Sequence, residues 1–140
     1  MDVRIERGSE VMKYHIMFMV HSKRTASNPL APIFDSYGWW VDLAKRALEE
    51  AGEFEMRLWE DDCEGIQSAQ KFGKQVPNDI TKELVFQGKV SPELKQEILT
   101  NYLTGEGYIK WFSLFLKKDG EYIFSSGHYG DETCILAHTQ

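Results

Sequence analysis

The chain has 140 residues, of which 42% are apolar, 13% aromatic and 27% charged. This composition is typical of a globular protein and excludes a collagenous, a coiled-coil or a largely disordered chain. A chain of this length buries roughly 70% of the surface that its unfolded form exposes, so it can support a core without staples. We therefore expect one domain over residues 1–140, with residues 1–10 flexible.

The net charge of −6 argues against general nucleic-acid binding, because neutralising phosphates requires a positive surface. The acidity is concentrated in one stretch. Between Glu49 and Gly65, eight acidic residues stand against the single base Arg57, which gives this stretch a charge of −7. All other residues together therefore carry +1.

The two cysteines, Cys63 and Cys134, lie far apart and match neither a disulfide framework nor a paired zinc motif. The apolar run Ile16 to Val20 is too short for a signal sequence or a membrane span. We expect a cytoplasmic protein without a membrane partner, either a monomer or a weak homo-oligomer.

The first half of the chain predicts a strand, a helix and a second strand. Apolar residues on both faces of residues 11–20 indicate a covered strand, and residues 21–32 have the composition of a loop. Asp35 or Ser36 is expected to cap a helix that runs to about Ala51 and is stopped by Gly52. Alternation over residues 54–58 predicts a strand with one face on the core and one in water.

The middle of the chain is mainly helical in its pattern. A short helix is expected after Asp62, and residues 78–88 fit either a helix capped by Asn78 or Asp79 or a strand over residues 84–86. Ser91 and Pro92, followed by an apolar stripe that Gly105 closes, predict a further helix.

The end of the chain predicts a three-stranded meander. Strands are expected over residues 109–116, 121–125 and 133–137, with Asp119 and Gly120 forming a type I′ turn. The fold class is therefore α+β, with about five strands in one mostly antiparallel sheet and three to four helices packed on it.

The acidic stretch is the strongest functional feature, although charged runs also serve solubility alone. Trp59 lies inside it, and Trp39 and Trp40 are adjacent on the preceding helix, so at most one of that pair can point fully into the core. Tryptophan beside concentrated charge is typical of an interface hot spot. The residues expected to bind a partner are Trp39, Glu53, Glu55, Trp59, Glu60, Asp61, Asp62 and Glu64.

These features favour a small acidic binding protein, such as an inhibitor or immunity-type protein that neutralises a basic partner, for example a nuclease toxin. The alternative is a hydrolase or transferase that uses Cys134 with His128 and Asp131. In an extended strand, Cys134 and His138 would share a face about 13 Å apart, too far for direct proton transfer. His128 would therefore have to fold back to serve as the base.

Two further hypotheses concern a metal site and a ligand-binding pocket. His128, Asp131, Glu132 and His138 could ligate zinc or manganese, but no established metal motif accompanies them, so we expect neither a metal nor a cofactor. The aromatic stretch with Trp111, Phe112 and Phe115 could line the pocket of a ligand sensor, but we favour the interpretation that it is simply part of the core.

Overall fold

The computed structural model describes residues 2–7, 13–19, 22–24 and 31–138. These residues form ten β-strands, three α-helices and one 3-10 turn. The strands are β1 Asp2–Arg7, β2 Lys13–Met19, β3 Ser22–Arg24, β4 Pro32–Phe34, β5 Glu53–Leu58, β6 Lys74–Val76, β7 Leu84–Lys89, β8 Ser113–Lys118, β9 Glu121–Gly127 and β10 Glu132–His138. The helices are α1 Gly38–Leu48, α2 Cys63–Phe72 and α3 Pro92–Thr100, and the 3-10 turn is His128–Gly130.

Eight strands form one antiparallel sheet in the order β1-β2-β10-β9-β8-β5-β7-β6. Six of them lie between residues 53 and 138, and β1 and β2 extend the sheet beyond β10. The α+β class and the C-terminal meander β8-β9-β10 are confirmed. The predicted number of five strands is too low, because β1, β6 and β7 also join the sheet.

Two of the missed strands lie where the sequence pattern was ambiguous or short. Residues 84–89 form β7, which confirms the strand alternative over residues 84–86 and not the helix, and the three-residue strand β6 pairs with it. At the N-terminus, residues 2–7 form the strand β1, whereas residues 1 and 8–10 lie outside the described residues. The expected flexibility of residues 1–10 stays a prediction. The predicted loop over 21–32 contains β3 and the first residue of β4, which pair with each other.

The helix boundaries differ from the predicted ones by a few residues. Helix α1 begins after Tyr37 instead of Asp35 or Ser36, and it ends at Leu48 rather than Ala51. Helix α3 begins as predicted, because the Ser91 hydroxyl accepts from the Leu94 amide at 3.1 Å and Pro92 follows the cap. It ends at Thr100, and the chain then folds back on itself, with the Lys110 amide donating to the Tyr102 carbonyl at 2.9 Å.

The main core lies between the three helices and one face of the sheet. Alternate residues of β5 and β8, including Met56 and Leu114, are fully buried against Trp40 and Trp111. Both indole N–H groups are satisfied, since Trp40 donates to the Ser126 hydroxyl at 3.0 Å and Trp111 donates to the Ser68 hydroxyl at 3.2 Å. Trp111 is therefore a core residue.

Candidate functional site: an acidic loop end

The antiparallel order brings several connections to one end of the sheet. Strand β5 ends there at Leu58 and β9 at Gly127, while β8 and β10 begin there. We call this the loop end and define it by residues 59–64, 101–112 and 127–132. The opposite end, defined by residues 49–53 and 117–121, is called the hairpin end.

Strand β5 divides the acidic stretch between these two ends. Five residue steps separate Glu53 from Leu58, which corresponds to about 16 Å at the rise of an extended chain. Glu49, Glu50 and Glu53 therefore lie at the hairpin end, and residues 60–64 lie at the loop end. The stretch that is continuous in sequence is not one continuous surface.

Lysines accompany the acids of the hairpin end. The Lys118 ammonium lies 3.5 Å from a Glu50 carboxylate oxygen. In the sheet register, Glu53 pairs with Lys89 on one side and with Lys117 on the other. The negative charge of this end, to which Asp119 and Glu121 also contribute, is thus partly offset by cations from other strands.

Glu55 is withdrawn from the surface, contrary to the expectation that this face of β5 lies in water. Its residue is 3% exposed, and its carboxylate accepts from Arg57 Nε at 2.8 Å and from Gln87 Nε2 at 2.7 Å. Burial raises the pKa of Glu55, but these two hydrogen bonds and the positive charges of Arg57 and Lys117 together outweigh burial, so that the net pKa is lowered. Glu55 is a structural ion-pair residue within the sheet.

Asp62 is also buried, at 6% exposure, and it braces the loop end from within. One carboxylate oxygen accepts from the Trp59 amide at 2.9 Å, and the other accepts from the Tyr129 hydroxyl at 2.8 Å. Burial raises the pKa of Asp62, and the neighbouring Asp61 adds to this, while the two hydrogen bonds lower it; the net pKa is raised. Asp62 thereby ties the start of α2 to the 3-10 turn.

Four further acids of the loop end are exposed around the start of α2, while Asp131 and Glu132 belong to the turn from β9 to β10. Glu60, Asp61 and Glu64 lie on the first turn of α2 and the preceding turn, and Glu106 joins them from residues 101–112. Both Glu64 carboxylate oxygens lie within 3.2 Å of the Gly105 amide, so this acid holds the two segments together. Negative charge at a helix N-terminus is stabilised by the helix dipole.

A small cleft of about 160 Å³ separates these acids from the segment that faces them. Lys110 on its wall is 6% exposed, and its ammonium lies 3.5 Å from Glu97, so its charge is already paired. The cleft is lined by Asp61, Asp62, Cys63, Glu64, Gly65, Thr104, Glu106, Tyr108 and Lys110.

Aromatic rings line the side of the loop end next to the acids. The Trp59 ring packs on Phe112 with 5.1 Å between centroids, and Phe112 in turn contacts His128 and Tyr129, each at 5.2 Å. Trp59 is half-buried, and its indole N–H has no hydrogen-bond partner within the described chain although the nitrogen is buried.

Trp39 lies at the start of α1, and its indole N–H donates to the Ser36 carbonyl at 2.8 Å. Its ring packs edge-on against Phe34 at 5.3 Å. Trp39 is half-buried while Trp40 is fully buried, which confirms that only one of the adjacent pair points into the core. The neighbouring Tyr37 hydroxyl donates to the Gly107 carbonyl at 2.6 Å and so links this segment to the loop end.

The residues of the enzyme hypothesis lie around the turn from β9 to β10. His128 is exposed, with Nε2 at 3.7 Å from a Glu132 carboxylate oxygen, whereas half-buried Cys134 pairs in register with Ser125 and Met17. Asp131 follows the 3-10 turn, and its amide donates to the His128 carbonyl. Catalysis by these residues stays a prediction. Within the described residues, no three His, Cys, Asp or Glu side chains are grouped as a metal site would require.

Sequence reasoning did not identify Glu106, Phe112 or Tyr129 as members of this site. The signal for Glu106 was present in the sequence Thr-Gly-Glu-Gly at 104–107, since a turn flanked by glycines exposes its central residue. Phe112 and Tyr129 come from distant parts of the sequence, and only the strand order brings them to Trp59.

Comparisons with protein-family models, with curated proteins and with solved structures find no match to this chain. Among the helices of the described residues, none combines the length and the apolar character needed to cross a membrane.

Proposed function

We propose that this protein is a protein-binding module that receives a basic partner at the acidic loop end. One observation carries the proposal: Glu60, Asp61, Glu64 and Glu106 are exposed at one corner, and none of them forms an ion pair within the part of the chain that the structure describes. At the hairpin end, by contrast, lysines accompany the acids.

Acids gathered without counter-ions repel one another, so the fold gains nothing from their proximity beyond the helix dipole and the Glu64 contact. A cationic partner would relieve this repulsion. The same field would raise its association rate, and salt would weaken that effect. Trp59 and Phe112 beside the acids supply the aromatic surface that interface hot spots commonly use.

The class of partner that best fits this surface is a protein with a cationic functional site, such as a nuclease toxin whose active site binds phosphate. Covering such a site with carboxylates requires no catalytic group in the inhibitor. We therefore propose, more specifically, that this protein acts as an inhibitor or immunity-type protein.

A lysine- and arginine-rich dodecapeptide, titrated into the ¹⁵N-labelled protein, tests the binding surface directly. We expect the largest amide shifts at residues 60–64 and 105–107, with an affinity that falls as salt rises. The variant E60K/D61K should weaken binding at least tenfold. The variant E49K/E53K makes the same change in net charge at the hairpin end and should weaken binding less than threefold. Equal weakening by the two variants would reduce the effect to net charge and would overturn the proposal.

A further inference from the structure

The second face of the sheet carries no helix within the described residues. Helices α1, α2 and α3 all pack on the first face, where they share one core with Phe54, Met56 and Leu116. Alternation along the strands puts the neighbouring residues of β5 to β9 on the uncovered side. We call this uncovered side of the sheet the open face. It carries Glu55, Arg57, Gln87, Phe115, Lys117 and Tyr122.

The open face is cationic although the protein as a whole is acidic. The register of β5 to β8 places Lys74, Lys89, Arg57 and Lys117 on it, against Glu53 and Glu55, and the Glu83 carboxylate lies 4.0 Å from Arg57, so cations exceed acids by one. The acids of the loop end lie beyond the end of β5, so the middle of the face is separated from them by about one Debye length at physiological salt, roughly 8 Å. An anionic ligand is therefore not excluded from this face by the net charge.

Two aromatic rings lie side by side on neighbouring strands of this face. The centroids of Phe115 and Tyr122 are 5.3 Å apart, and the Lys117 ammonium lies 4.9 Å from the Tyr122 ring centroid. Tyr122 is 46% exposed, a large value for an aromatic residue held between two partners. The ring is thus fixed in place by Phe115 and Lys117, while about half of its residue remains accessible to a ligand.

Arg57 beside these rings is held in a defined orientation. Its Nε donates to Glu55, and one terminal nitrogen lies 4.0 Å from Glu83. Its side chain remains one-third exposed. The two carboxylates offset part of its charge, but unlike buried Lys110 it keeps an exposed part that is fixed at low entropic cost, and guanidinium groups match the geometry of phosphate oxygens.

We infer that the open face binds single-stranded RNA, with bases stacked on Tyr122 and Phe115 and phosphates held by Lys117 and Arg57. Fixed rings flanked by cations are the combination with which proteins bind unpaired strands. Ser125, which pairs with Phe115, places a hydroxyl beside these rings on the same face, where it can bond the ribose 2′-hydroxyl. A segment made only of acidic residues, such as polyglutamate, would use the cations but would have no ring to stack on Tyr122 and Phe115.

Fluorescence anisotropy with labelled decauridylate, deca-deoxythymidylate and decaglutamate at low salt tests this inference. We expect decauridylate to bind tightest and Y122A to weaken its binding about tenfold, since stacking on one base contributes roughly 5- to 150-fold. Y122F should bind like the wild type. K117Q should weaken binding several-fold and reduce its salt dependence, whereas K118Q, which removes the adjacent lysine of the hairpin end, should change it less than twofold.

Each contrary result has a definite meaning. Unchanged binding by Y122A, or equal losses from K117Q and K118Q, would overturn the assignment of this face. Decaglutamate binding as tightly as decauridylate would replace RNA by an acidic protein segment, and equally tight deoxythymidylate would exclude specific recognition of the ribose. Because this face and the loop end are separate surfaces, E60K/D61K distinguishes failure here from failure of the proposed function.

Discussion

Gly65 allows α2 to approach the chain that forms the other wall of the acidic cleft. A Cβ at this position would lie 3.2 Å from the carbonyl carbon of Lys110 and closer still to its oxygen and to Leu58 Cδ2. The obstacle includes backbone, so α2 itself must shift in the variant G65A. Alanine stabilises a helix by up to about 1 kcal/mol relative to glycine, whereas overpacking costs about 1–3 kcal/mol. We expect a net loss of about 1–2 kcal/mol.

Thermal unfolding followed by circular dichroism measures this loss, and a fall in Tm of at least about 3 °C is expected for a chain of this size. The matched control is G38A, which also replaces a helical glycine, because a Cβ there would meet only Ser36 Oγ at 3.7 Å. That variant should be neutral or slightly more stable. If G65A were as stable as G38A, the close contact between α2 and Lys110 would be refuted.

Three further predictions concern buried polar groups. W40F deprives the Ser126 hydroxyl of its indole donor and leaves space in the core, so the free energy of unfolding, measured with urea, should fall by about 2–4 kcal/mol. A fall of less than about 1 kcal/mol would contradict this packing. R57M removes the guanidinium that opposes the effect of burial on Glu55, so the variant should be less stable by about 1–2 kcal/mol at pH 7. This deficit should shrink as the pH falls below 4.5 through the lowered pKa of Glu55, because the carboxylate is then protonated in the wild type as well. A deficit that does not change with pH would contradict the ion pair. The pKa of Asp62 is raised in the folded state, so the wild type should lose stability relative to D62N as the pH rises from 3.8 through the raised pKa. Chemical unfolding over pH 3–7 measures this difference, and the absence of such a trend would contradict the burial of the Asp62 charge.

The sequence was most informative where one local signal decides the structure. Asp119 and Gly120 have φ values of 51° and 79°, which fit the type I′ turn expected from their identities. The cap at Ser91 and the strand at residues 53–58 were likewise recognisable, because capping chemistry and two-residue alternation depend only on neighbours along the chain.

The sequence could not show how the strands assemble, and this decides the site. Glu53 and Glu60 are seven residues apart and read as one charged run, yet β5 separates the two ends of that run and the lysines of other strands offset one of them. The burial of Glu55 depends on Gln87, which is 32 residues away. Partners brought together by strand order leave no local signal that one sequence can reveal.

We infer that negative potential is concentrated at the loop end, whereas lysines partly offset it at the hairpin end. Near-surface potentials at individual amides, measured by paramagnetic relaxation with a cationic and an anionic nitroxide cosolute, test it without a partner. We predict the most negative values at residues 60–64 and 105–107, values nearer neutral at 49–53, and positive values at 115–117. Equally negative potentials at 49–53 and 60–64 would contradict the claim.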